Sequence, residues 1–138
     1  MSIAISDLPG MQKTDIDRLQ NLGITNIEQL LVMGKNKQDR ELLAQKMGVS
    51  PRYVHKWFAL ADLARLPSVG VEYCGLILHS GIISVAQLSQ CNAPQLQKQI
   101  LRLQVANLRR RDLCPSFSLV QSWIQEAKQD KDSNRFKA

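Results

Sequence analysis

An all-α fold follows from three features of this 138-residue sequence. Aromatic residues make up only 5% of it, and the apolar remainder is mostly Leu, Ile, Val and Ala, the composition of helical domains rather than of sheets. Apolar side chains recur at helical spacing, most plainly at Val54, Trp57, Phe58, Ala61 and Ala64. Gly, Pro and Ser or Asn punctuate these stretches where helices start and stop. With 44% hydrophobic and 22% charged residues the chain is built to fold, which excludes a disordered or collagen-like polymer. The expected organisation is a single compact all-α domain over residues 1–128 and a frayed tail over 129–138.

A shift of 58 residues brings two segments into register. Leu8, Pro9, Gly10, Met11 and Gln12, followed by Leu19, Gly23, Ile24, Ile27 and Leu30, coincide with Leu66, Pro67, Ser68, Val69 and Gly70, followed by Ile77, Gly81, Ile82, Val85 and Leu88. Each copy reads as a turn, a helix of about ten residues, a Gly exit suited to a left-handed C-cap, and a short second helix. Thr25 or Asn26 caps the second helix of copy one, and Ser84 that of copy two.

This pattern resembles the helix-hairpin-helix motif. The resemblance implies two such repeats, at 5–34 and 66–91, joined by a helical connector at 38–65. It also implies non-catalytic, sequence-independent nucleic-acid binding, DNA more than RNA, through the backbone N–H groups of the Leu-Pro-Gly turn. Exposed amides beside a helix N-terminus do make an anion site. The motif usually carries two glycines in the turn, and each copy here keeps only one: Gln12 stands at the second position of copy one, Ser68 at the first of copy two. Lys13 and Arg18 follow the first turn, opposed by Asp15 and Asp17, whereas the second is followed by Glu72.

The connector reads as a helix from Asp39 to Met47 ended by Gly48, then Ser50 and Pro51 opening a helix that reaches about Arg65. Trp57 belongs to the core. The same segment resembles a helix-turn-helix, whose second helix would expose Arg52, His55 and Lys56. After Asn92 and Pro94 comes a basic helix, expected over 93–111, with Leu96, Ile100 and Leu103 inside and Lys98, Arg102, Arg109, Arg110 and Arg111 outside. Cys114, Pro115 and Ser116 break the chain. Leu119, Val120, Trp123, Ile124 and Ala127 then form a C-terminal amphipathic helix, 116–128. The order of elements, ending in Pro-Ser-x-x-x-Val-x-x-Trp-Ile, also resembles a small uncharacterised bacterial family with two such hairpins.

Charge locates the candidate binding surface. The chain carries +6 overall; residues 1–63 hold eight basic and seven acidic side chains, residues 64–138 ten and five. A basic balance favours phosphate-bearing or acidic partners. The candidate binding residues are therefore Gly10, Gln12, Lys13, Gly70, Lys98, Arg102, Arg109, Arg110 and Arg111, with Arg52 and Lys56 secondary. The alternative is a protein-interaction adaptor: residues 73–97 contain no Asp, Glu, Lys or Arg, so the second hairpin is expected to be buried, to contact an acidic or other protein partner, or to pair with itself.

Chemistry that would mark an enzyme is missing from the pattern. His55 and His79 have no metal-ligand or triad spacing, and Cys74 and His79, five apart, fall on different helical faces. The three cysteines are spaced as free thiols rather than as a metal or disulfide set. No Gly-rich nucleotide loop appears, no catalytic residue, cofactor or metal is expected, the first ten residues do not read as a secretory signal, and no run approaches the roughly eighteen apolar residues of a membrane span. A cytoplasmic protein that avoids membranes is the expectation.

Overall fold

The computed structural model describes residues 3–104 and 114–130. Those residues are all-helical, with no strand; the sole sheet-like feature among them is an isolated antiparallel bridge between Ala4 and Asn26. A 3-10 turn (Ile5–Asp7) precedes α1 (Lys13–Asn21), α2 (Ile27–Met33), α3 (Lys37–Met47), α4 (Pro51–Ala64), α5 (Gly70–His79), α6 (Val85–Ser89), α7 (Ala93–Leu103) and α8 (Phe117–Gln129).

Caps explain most boundaries. Asn26 closes a capping box with Gln29, accepting its N–H at 2.8 Å, so Asn26 rather than Thr25 opens α2. Asn36 accepts from Asp39 N at 2.8 Å and starts α3 at Lys37, two residues before the position the apolar spacing suggests. Ser84, Asn92 and Ser116 cap α6, α7 and α8 in the same way. Gly48 ends α3 at φ +69.

α4 is the hub. Every residue from Trp57 to Ala64 is buried, so this helix packs on α2 and α3 on one side and α5 on another. A helix covered nearly all round needs apolar residues nearly all round, and Phe58, Leu60 and Leu63 supply them. α8 lies across α6 and α7 and buries Val120, Trp123, Ile124 and Ala127, the expected stripe. Trp123 is fully buried, its ring 5.2 Å from that of Tyr73 and its indole Nε1–H donating to Ser68 O at 3.0 Å. The buried residues from Ile5 to Ala127 form one contiguous cluster.

The two segments related by the 58-residue shift share their exits but not their entrances. Ile24 N donates to Leu19 O and Ile82 N to Ile77 O; Gly23 (φ +85) and Gly81 (φ +97) occupy the same place. The equivalent first amides of α2 and α6 find different acceptors. Ile27 N takes the backbone oxygen of Ile3, while Val85 N takes the buried Asp62 carboxylate at 2.7 Å. Asp62 also accepts from Arg65, which reaches on to Asp130 at 2.8 Å. Asp130, placed by sequence in a frayed tail, is thus held by an ion pair, and α8 runs through Gln129. Burial pushes the Asp62 carboxyl above the ordinary carboxylate range, with the Val85 N–H and Arg65 opposing. Burial also disfavours the charge on Arg65, but Asp130 and Asp62 more than compensate.

Candidate functional site

The turn before α1 is the most open main-chain surface of the two entrances. Gly10 sits at φ +77, a left-handed conformation natural to glycine, and Gln12 is extended at φ −78. Gln12 therefore needs no glycine at its position, and its side chain makes no cap bond. Among the described residues nothing accepts from the N–H groups of Gly10, Met11, Gln12, Lys13 or Thr14. Gly10, Gln12, Lys13 and Thr14 are exposed, so these donors meet solvent at the positive end of α1.

Lys56, from the middle of α4, completes this turn. A Cβ built on Gly10 would lie 3.7 Å from Lys56 Nζ, so the ammonium stands directly beside the open amides. Both line a groove of about 360 Å³ with Thr14, Arg18 and Tyr53, and Asp15 adds one opposing carboxylate there. Arg18 is tied to the end of α3 by donating to Met47 O at 2.9 Å. Lys56 also lines a second groove, of about 370 Å³, whose rim is Lys37, Arg52 and His55 and whose floor is Ala59, Leu78 and Ile83. No Asp or Glu lines it.

His55 differs from the exposed residue that the helix-turn-helix resemblance implies. It is half-buried, and its Nδ1 accepts from Arg40 Nε at 3.0 Å, which leaves the proton of the neutral ring on Nε2. Burial first, then the Arg40 charge, hold its pKa below the ordinary value, with Glu41 opposing and Lys37 adding to the effect. Arg52 and Lys56 are exposed as that resemblance implies, Arg52 lying 5.3 Å over the Tyr53 ring.

The second entrance is built differently. Gly70 is left-handed at φ +56, but its N–H donates to Leu66 O at 2.9 Å and is not open. The Ser68 N–H donates to the Glu126 carboxylate of α8 at 3.0 Å. Arg65, the cation nearest in sequence to this turn, is held by Asp62 and Asp130. A carboxylate of this chain therefore already takes the Ser68 N–H and the Leu66 oxygen takes the Gly70 N–H, so Gly70 lacks the open amide that Gly10 keeps.

Lys98 and Arg102 are exposed on α7, which packs against α8 and α5, and line neither groove around Lys56. Arg109, Arg110 and Arg111 lie outside the described residues. Within the uncharged stretch at 73–97, Cys74, Ile77, Ile82, Ser84, Val85, Leu88 and Leu96 are buried, and α6 lies under α8. Ile83 within it, and Val71 just before it, remain exposed. Cys74 has its thiol pushed up to about 11 by burial, so it stays protonated and unreactive at neutral pH. Among the described residues no three His, Cys, Asp or Glu side chains group as metal ligands, and no helix is long and apolar enough to cross a membrane.

Sequence reasoning named Lys56 and Arg52 as secondary candidates but missed Lys37, whose only signal was its place near the start of a helix. In comparison with known proteins, a family model described as a domain of unknown function matches residues 9–130. No curated protein and no solved structure matches the chain.

Proposed function

The chain belongs to the DUF4332 family, whose description names no activity, and from that premise we propose that it binds nucleic acid, DNA in the first instance, without reading sequence. In this reading the two helix pairs are helix-hairpin-helix units of unequal use. The first takes a backbone phosphate on the amides of residues 10–14, with Lys13 and Lys56 neutralising its charge. The second is a structural copy whose Ser68 N–H is held by Glu126 of α8 and whose Gly70 N–H is held by Leu66 O.

The observation that carries the reading is the ammonium of Lys56 beside Gly10 in a turn whose donors have no internal acceptor. Main-chain donors and a lysine recognise a phosphate by charge and shape alone, which positions a duplex without specifying bases. Asp15 lowers the local potential, so affinity per site is modest and several contacts along a strand are needed.

The test is a titration of duplex DNA at two salt concentrations. Each neutralised phosphate contributes about 0.9 to the slope of log affinity against log salt. Lys56→Glu and Lys13→Glu are expected each to weaken binding and reduce that slope by about one contact. Lys98→Glu, at a residue that lines neither groove, is expected to change it little. Salt-insensitive binding, or equal affinity in the Lys56 and Lys13 variants, removes the reading in favour of the adaptor alternative.

A further inference from the structure

The groove behind Lys56 has a chemistry that a phosphate backbone alone does not use. Lys37, Arg52 and Lys56 give it a cationic rim, and the half-buried His55 lines the same wall. Ala59, Leu78 and Ile83 give it an aliphatic floor, on which Ile83 is 43% exposed. At about 370 Å³ it falls within the size of pockets that enclose small organic groups, most of which combine apolar walls with a few placed polar groups. A carboxylate or phosphate meets no acidic residue there.

We propose that this groove holds a nucleotide unit of a single strand, its phosphate on Arg52 and Lys37 and its unstacked base on Ala59, Leu78 and Ile83. The inference rests on the nucleic-acid reading above and narrows it. Lys56 lines both grooves, so they adjoin, and a strand whose phosphate sits at the Gly10 turn has the rim of the second within reach of its next nucleotide. A duplex keeps its bases inside the stack and can offer the rim only its backbone. A single strand can splay a base onto the floor, as single-strand binding surfaces do with their stacking platforms. Here the platform is aliphatic, so the base gains burial rather than ring stacking, and every base can use it.

The experiment compares one mixed-sequence DNA oligonucleotide as a single strand and as its duplex, at equal salt, with the full chain. Wild type is expected to bind the single strand about fivefold more tightly, the factor that burial of roughly 40 Å² of apolar surface gives. Ile83→Ser, at an exposed position that does not endanger folding, is expected to remove that preference and leave duplex affinity unchanged. Lys37→Glu is expected to weaken both. Duplex affinity equal to or above that for the single strand overturns the proposal, as does an Ile83→Ser effect equal on both. Saturable binding of a nucleoside monophosphate with no binding of either DNA form also overturns it, in favour of a small-ligand pocket. If neither form binds with salt sensitivity, the underlying nucleic-acid reading fails as well, so the two failures are told apart.

Discussion

Replacing Asp62 by alanine removes the acceptor of two hydrogen bonds at once, those from Val85 N at 2.7 Å and Arg65 Nε at 2.8 Å. Val85 is fully buried, so its amide, the first of α6, is left without a partner, which costs about 1–3 kcal/mol. Loss of the charge-assisted bond to Arg65 adds roughly 1.5–3 kcal/mol, reduced because Asp130 still holds the guanidinium. Removing a carboxylate that burial disfavours returns part of this. The net expectation is about 3–4 kcal/mol, a large share of the roughly 5–15 kcal/mol typical of a folded domain. Asp62→Asn separates the contributions. Its amide oxygen can still accept from Val85 and it carries no charge to desolvate, but its NH2 cannot accept from Arg65 Nε, so it is expected to cost about 1–2 kcal/mol, the loss of that one bond. Urea denaturation of both variants, with the slope unchanged, measures the difference. An alanine variant within about 1 kcal/mol of wild type refutes the argument, and so does an asparagine variant as damaging as the alanine one.

Glu126→Ala frees the Ser68 amide at the second entrance; duplex binding is expected to become more salt-dependent by up to about 0.9 in slope, and an unchanged slope means that turn takes no phosphate even when open. His55 has a folded pKa below its ordinary 6.5, so the stability linked to its neutral form is complete above pH 6.5 and is lost as pH falls through the folded pKa. In His55→Gln that loss is absent, and stability measured by denaturation on either side of pH 6.5 checks it: a wild-type advantage that grows on acidification contradicts the assignment. Gly34→Ala drives a Cβ into the Phe58 ring edge and places it 2.7 Å from Arg40 Cγ, and overpacking of this kind is expected to lower stability by about 1–3 kcal/mol, read as a fall in the melting temperature.

Much of the helical order is legible along the chain because its signals are local. Asn26, Ser84 and Ser116 cap within three residues of themselves, and Val54, Trp57 and Phe58 face inward by spacing alone. The start of α3 was misread by two residues because Asn36, followed by Lys37, Gln38 and Asp39, offers a cap with no apolar periodicity behind it. Gly10, Gln12 and Lys13 could be named as a site from the turn pattern, but the same pattern made Gly70 look equivalent, since residue types do not record where an N–H is already engaged.

What the sequence alone determined is therefore the set of helices and the faces they bury, both written in bonds and contacts between near neighbours. The tertiary structure decided which turn keeps its donors. It brought Lys56 of α4 to Gly10, and Glu126 to Ser68 across 58 residues. A lysine or a glutamate satisfies every local rule equally well wherever its helix is docked. Only the docking of α4 against the first entrance and α8 against the second leaves one turn's amides open beside an ammonium and ties the Ser68 N–H of the other to a carboxylate of the chain itself.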